Sequence, residues 1–155
     1  MGCSAGGQLA ALIGTTNNNP AFEDQPGDSK YTSTVQAVID IDGILAFKHP
    51  ESEEGATAAL WLGGTYEEKP ENWTQASALT HVDAHTVPFL FINSSQPRFH
   101  AGQDGMIRKM NELGIYSEVH SFPDTPHPFW FFNPWFEPMM DHIYHFLDQR
   151  HKKKY

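Results

Sequence analysis

The chain has 155 residues, a formal net charge of −9 and one cysteine, Cys3. This length can bury a sizeable core, and a hydrophobic fraction of 39% indicates a globular chain rather than a disordered one. The acidic balance argues against nucleic acid or an anionic membrane as the main partner, since both attract basic surfaces, and a lone cysteine excludes an intrachain disulfide.

The first half of the chain opens on a turn motif and continues with elements of alternating type. Gly2–Gly6 reads Gly-Cys-Ser-Ala-Gly, which fits the pattern G-x-S-x-G. Leu9, Leu12 and Ile13 recur at helical spacing, so Ala5–Gly14 is predicted to be a short buried helix with these side chains in the core, and Thr15–Thr34 is a loop rich in Asn, Pro, Gly and Asp. The β-branched run Val35–Ile41 predicts a strand, and Ala56–Gly64 predicts a short helix that two glycines end.

The second half repeats the alternation of strand and helix. Val87–Asn93 is a continuous apolar run, typical of a parallel strand covered on both faces. Ala101–Gly114 has an apolar stripe at helical spacing, Ile115–Phe122 alternates like a strand, and residues 133–150 end as an amphipathic helix. Strands that alternate with helices predict a parallel α/β sheet with right-handed crossovers. No linker divides the chain, so 1–155 is interpreted as part of one domain.

Ser4 is the candidate nucleophile because of the motif that surrounds it. Small residues flank it on both sides, as a sharp strand-to-helix turn requires. At the start of a helix, free backbone N–H groups favour negative charge, and the N–H of Ala5 is the expected donor to an oxyanion. The alternative is that Ser4 is simply a helix N-cap, a position that serine favours.

His127 is the candidate general base among nine histidines. It follows the last predicted strand and precedes the last helix. Where a G-x-S-x-G turn carries the nucleophile, the triad residues follow in the chain order serine, acid, histidine, which puts the base at this point. Pro126 and Pro128 stiffen its loop. The aromatic run Phe129–Phe132 is expected to shield a pocket from water. The alternative is a histidine in a proline-rich turn.

The acid of the triad is the least defined member in the sequence. The segment after Val87–Asn93 has serines where an acid is expected, and no carboxylate before Asp104. Asp124, three residues before His127, is the chosen candidate, although its Pro-Asp-Thr-Pro context is also good turn chemistry. Asp104, Glu118 and a dyad of serine and histidine without an acid remain alternatives.

Metal and cofactor sites are not indicated. His81, Asp83 and His85 alternate in one segment, but a polar loop explains this spacing better than a metal site does. The chain has neither a dinucleotide-binding nor a phosphate-binding glycine motif. We therefore expect no cofactor and no metal.

Three segments resemble one known family: "GCSAGGQLAAL", "VPFLFINSSQPRFHAGQDGMI" and "FPDTPHPFWFFNPWFEP". Together they are similar to α/β-hydrolase esterases that deacylate plant polysaccharides, of the bifunctional acetylxylan/feruloyl esterase type. The resemblance implies Ser4 as nucleophile and His127 as base, in a serine esterase that removes acetyl or feruloyl groups from cell-wall sugars. Arg98, His100 and Trp130 are the expected substrate-binding residues.

The resemblance also implies what precedes this chain in related proteins. The fold class expected is the C-terminal portion of an α/β-hydrolase fold, with a mostly parallel sheet whose N-terminal strands are missing. A parent protein would be secreted or periplasmic, with an oligosaccharide or small ester as its partner. Because such esterases take a second oxyanion donor from an earlier loop, the isolated chain is expected to be weak or inactive. A non-catalytic fragment and a small interaction module are the alternative functions.

Overall fold

The segments predicted as strands and helices form a layered α/β structure in the computed structural model, which describes residues 1–23 and 32–151, with the side chain of His151 excepted. Four strands are described: β1 (Gly2–Cys3), β2 (Val38–Ile41), β3 (Phe89–Asn93) and β4 (Ser117–Ser121). Five α-helices are described: α1 (Ala5–Thr15), α2 (Gly55–Leu62), α3 (Pro70–Ala76), α4 (Gln103–Glu112) and α5 (Phe136–His151). Part of the predicted loop Thr15–Thr34 lies outside the described residues.

The described strands pair in parallel in the order β1-β2-β3-β4. Each connection contains at least one helix, as parallel strands require. The prediction of a parallel α/β sheet is therefore confirmed, and the three predicted strands begin two or three residues later than expected. Because all strands run the same way, their carboxyl ends meet at one edge of the sheet, where the loops that carry side chains for chemistry begin.

Apolar residues cover the sheet on both faces, since successive side chains of a strand point to opposite sides. In β3, Phe89 and Phe91 belong to the core under α1 and α4, whereas Leu90 and Ile92 belong to the core under α5. All four are fully buried. The continuous apolar run in this strand is thus explained by burial on both faces, as predicted.

Helix α1 packs on the sheet through its small residues and not through its large ones. Its buried positions include Gly7, Ala11 and Gly14, whereas Leu9 and Ile13 are about half exposed. A Cβ on Gly14 would collide with the side chain of Val38, so glycine permits the close approach. The predicted extent of this helix is confirmed, but the expected burial of Leu9 and Ile13 is wrong.

No helix among the described residues is both long and apolar enough to cross a bilayer.

Candidate active site

Ser4 lies at the turn between β1 and α1, in a backbone conformation that side-chain-bearing residues rarely adopt. Its φ is 55° and its ψ is −122°. Its N–H donates to the carbonyl of Ile41 at 2.8 Å, so the chain remains paired with β2 up to the residue where it turns. Residues held in such sparsely populated regions cluster at active sites, where the surrounding structure fixes them. The turn presents the Ser4 hydroxyl at the carboxyl edge of the sheet.

Asp42 occupies the equivalent position on the neighbouring strand. It follows β2 directly, and its N–H donates to the carbonyl of Ile92 at 3.0 Å. Its φ of 52° turns the chain out of the sheet at the same edge where Ser4 leaves it. The side chain of Asp42 is fully buried.

His127 lies between these two side chains. Its Nε2 is 2.8 Å from Ser4 Oγ, and its Nδ1 is 2.9 Å from Asp42 Oδ2. With Nδ1–H donating to the carboxylate, Nε2 is left to accept the hydroxyl proton of Ser4. This is the geometry of a nucleophile, a base and an orienting acid.

Aromatic rings hold the His127 imidazole from two directions. Phe99 stacks on it with a centroid distance of 3.5 Å, and Trp130 contacts it edge-on at 5.1 Å. The loop that precedes His127 is also fixed, because the Ser95 hydroxyl donates to the carbonyl of Thr125 at 2.8 Å. The serine that stands after β3 in place of the expected acid thus anchors the loop of the histidine.

The expected pairing of Asp124 with His127 disagrees with the structure, which places Asp42 on Nδ1 instead. Asp124 lies in the turn before His127 with a φ of 56°. That conformation suits the turn chemistry that its Pro-Asp-Thr-Pro context favours. Another alternative, Glu118 on β4, accepts hydrogen bonds from the Tyr116 hydroxyl and from His120 Nε2.

The pKa of Asp42 reflects this set of partners. Burial alone would raise it, but hydrogen bonds from His100, Ser94 and His127 outweigh burial and leave the pKa below its usual value. The carboxylate therefore stays ionised where His127 needs a negative partner. By contrast, burial, Asp40 and Asp42 raise the pKa of the Cys3 thiol, which disfavours a thiolate nucleophile next to Ser4.

A cavity of about 270 Å³ opens beside the Ser4 hydroxyl. Its wall is mostly apolar and is formed by Leu9, Ile44, Phe47, Ala58, Trp61 and Phe99. Gln8, Glu54 and Thr57 add polar groups. The exposed residue Ala5 also lines this cavity, and first-turn N–H groups of a helix have no intrahelical partner. The cavity thus joins the Ser4 hydroxyl to a backbone donor and an apolar wall.

The three expected substrate-binding residues do not line this cavity. Trp130 is only 8% exposed and packs against His127, so it offers no face to a sugar ring. His100 Nε2 points to Asp42 Oδ1 at 3.0 Å. Arg98 Nη1 lies 3.3 Å from Glu54 Oε1, and it is Glu54 that reaches the cavity wall. All three support residues of the site instead of facing a substrate there.

Among the described residues, no group of three or more His, Cys, Asp or Glu side chains is arranged to hold a metal ion.

The first 101 residues match the family model described as BD-FAE. This chain belongs to the BD-FAE family. Esterase LipC of Mycobacterium tuberculosis is 34% identical to this chain over 100 residues. The matched segment covers 61% of this chain and 25% of LipC. The resemblance drawn from the sequence motifs is confirmed.

Solved structures with the same fold are also named as esterases. A truncated carbohydrate esterase from gut microbiota superposes with a TM-score of 0.71 at 22% identity, over 96% of the BD-FAE chain and 58% of that chain. Est2 of Thermogutta terrifontis, with propionate bound, gives a TM-score of 0.66 at 20% identity, over 96% and 54%. These likenesses show an α/β-hydrolase fold. The BD-FAE chain spans a quarter of LipC and somewhat over half of these two structures.

Asp40, on β2 and two residues before Asp42, is a buried carboxyl whose Oδ1 makes no well-formed hydrogen bond within the described residues. Burial raises its pKa well above the usual value; the backbone N–H of Gly43 acts in the opposite direction, and the charge of Asp42 adds to the rise. Between the unfolded and folded pKa values, the native state binds more protons than the unfolded chain. The contribution of Asp40 to the free energy of unfolding is therefore fully present at low pH and is lost as pH rises through the folded pKa of Asp40.

We expect Asp40→Asn to raise the melting temperature at pH 7, because the amide has the same shape and cannot ionise. The gain should shrink towards pH 4, where the native carboxyl of Asp40 is itself neutral. Thermal melts across this range check the prediction, with the exposed Asp141→Asn as a matched control on α5. A gain that is independent of pH, or shared by the control, would contradict it.

Proposed function

We propose that the protein carrying this chain is a serine carboxylester hydrolase that uses Ser4 as nucleophile, His127 as base and Asp42 as acid. The observation that carries the proposal is that one imidazole makes both hydrogen bonds: His127 Nε2 accepts from the Ser4 hydroxyl at 2.8 Å, and Nδ1–H donates to Asp42 Oδ2 at 2.9 Å. Relatives named as esterases support it, as does the cavity beside the hydroxyl.

The reaction follows from these contacts. His127 Nε2 takes the proton of Ser4 as Oγ attacks the ester carbonyl, and the new oxyanion develops near the N–H of Ala5 at the start of α1. The resulting imidazolium is stabilised by the ionised Asp42. It then gives its proton to the departing alcohol, which leaves an acyl group on Ser4. Water, activated by His127, hydrolyses this acyl-enzyme and restores the serine.

The substrate class we propose is an acetyl ester on a plant cell-wall sugar, with a feruloyl ester as the alternative acyl group. The family resemblance supports a polysaccharide substrate, and the structural neighbour from gut microbiota is named as a carbohydrate esterase. The cavity adds two constraints of its own. At about 270 Å³ it suits a small ester, and its mostly apolar wall favours an uncharged acyl group.

Covalent labelling of the nucleophile tests the proposed chemistry. A fluorophosphonate should add once per chain, and peptide mapping should place the adduct on Ser4. Ser4→Ala should abolish the adduct, while Ser33→Ala, which removes an exposed hydroxyl outside the cavity wall, should keep it. Release of acetate from acetylated xylo-oligosaccharides, compared with release of ferulate from methyl ferulate, identifies the acyl group. An adduct on another residue, or none together with no ester hydrolysis, would contradict the proposal.

A further inference from the structure

The Asp42 carboxylate has more partners than a base-orienting role requires. Oδ2 accepts the hydrogen bond from His127 Nδ1, whereas Oδ1 accepts one from His100 Nε2 at 3.0 Å and one from the N–H of Ser94 at 2.7 Å. One carboxylate thus lies between two imidazoles. His100 comes from the end of a 3₁₀ turn, Pro97–His100, which follows β3.

Both oxygens of Asp42 must be held if the carboxylate is to keep one orientation. The torsion that rotates a carboxylate about its own axis is broad, so contacts and not intrinsic preference decide its angle. The Ser94 N–H holds Oδ1 from the end of β3. The His100 ring adds a second donor to that oxygen, and this leaves Oδ2 in the direction of His127.

Because the Asp42 carboxylate is buried, the hydrogen bond from His100 helps to stabilise its charge. The Asp42 side chain is fully buried, and a buried charge is costly unless paired and hydrogen-bonded. The His100 side chain is itself only 17% exposed, so water competes little for this contact. Removing the imidazole would leave Oδ1 of a buried anion with the contacts of Ser94 alone.

We propose that His100 is a positioning residue of the active site, which fixes the Asp42 carboxylate so that His127 keeps the orientation needed to take the proton of Ser4. His100 is absent from the cavity wall, so it acts through Asp42 and touches no substrate. This inference rests on the proposed function and adds a fourth side chain to its machinery.

The experiment compares His100→Ala and His100→Gln with the unaltered protein, on the ester that it hydrolyses best. His100→Ala should lower kcat about tenfold to a hundredfold, by analogy with the loss seen when the hydrogen-bond partner of a metal-binding side chain is removed, with KM unchanged. His100→Gln should recover most of that loss, because its amide nitrogen can occupy the position of Nε2. His120→Ala is the matched control, since it removes a histidine bonded to a carboxylate, Glu118, at 2.9 Å on β4.

A second readout is the low-field proton resonance of the hydrogen bond between His127 Nδ1 and Asp42. It should shift or broaden in His100→Ala and return in His100→Gln. Unchanged kcat and an unchanged resonance in His100→Ala would overturn the inference, as would equal losses in both His100 variants and the His120 control. If the whole protein that carries this chain and its Ser4→Ala variant are equally inactive on esters, the proposed function fails, while the resonance still decides the role of His100.

Discussion

Asp42→Asn is expected to lower kcat for ester hydrolysis about ten-thousand-fold, the effect of this change on the acid of a serine triad. Asparagine keeps the shape of the side chain, but its amide nitrogen can donate to His127. The imidazole would then carry its proton on Nε2, where it cannot accept the proton of Ser4. Steady-state kinetics with a small acetyl ester checks the prediction, and KM should change little because Asp42 acts through His127.

Asp124→Asn is the matched control for that variant, because it makes the same chemical change one loop away. Asparagine tolerates the positive φ of 56° at this position, so the turn should be kept. We expect kcat to stay near that of the unaltered protein. Loss of activity in Asp124→Asn together with full activity in Asp42→Asn would reverse the assignment of the acid. Circular dichroism and melting temperatures establish that both variants are folded.

Ser4 and His127 can be predicted as a pair because local and global signals agree. The motif around Ser4 specifies a sharp turn into a helix, and the order of strands and helices puts His127 after the last strand. In a parallel sheet both positions lie at the carboxyl edge, so residues 123 positions apart in the chain meet. Proximity at that edge follows from topology alone, without knowledge of any side-chain contact.

Asp42 could not be identified as the candidate acid from the sequence, because its local sequence also fits an ordinary turn. The Asp-Gly pair after β2 is good turn chemistry, and the positive φ of Asp42 shows that it is indeed a turn. The signal that identifies it as the acid is its position at the end of the strand that pairs with the nucleophile strand. After β3, where the sequence motif leads one to expect the acid, Ser94 instead donates its N–H to Asp42.

Burial of individual side chains is harder to predict than the elements themselves. Periodicity predicts that Leu9 and Ile13 lie in the core, yet the core side of α1 is made of small residues such as Gly7 and Gly14. Leu9 lines the cavity instead. Similarly, Trp130 is expected to face substrate but packs on His127. Such choices depend on how closely two elements approach, which spacing along a sequence does not encode.

Removing the nucleophile, the base or both is expected to lower kcat by the same large factor. Ser4→Ala and His127→Ala should each lower kcat by up to about a million-fold, the scale seen for such variants in a serine hydrolase of another fold. The double variant should be no worse than either single one. The physical reason is that Oγ and Nε2, 2.8 Å apart, carry out one proton transfer and attack. Without either atom the step does not occur, and the other has nothing left to contribute.

This non-additivity distinguishes a working pair from two residues that merely lie close together. If Ser4 and His127 acted independently, the losses of the single variants would multiply in the double variant. Kinetics of all four proteins on one acetyl ester, with the uncatalysed rate subtracted, measures the difference. Residual hydrolysis above that rate in the double variant would report what the cavity and the N–H of Ala5 contribute alone. A double variant far slower than both single ones would contradict the assignment of Ser4 and His127 to the same step.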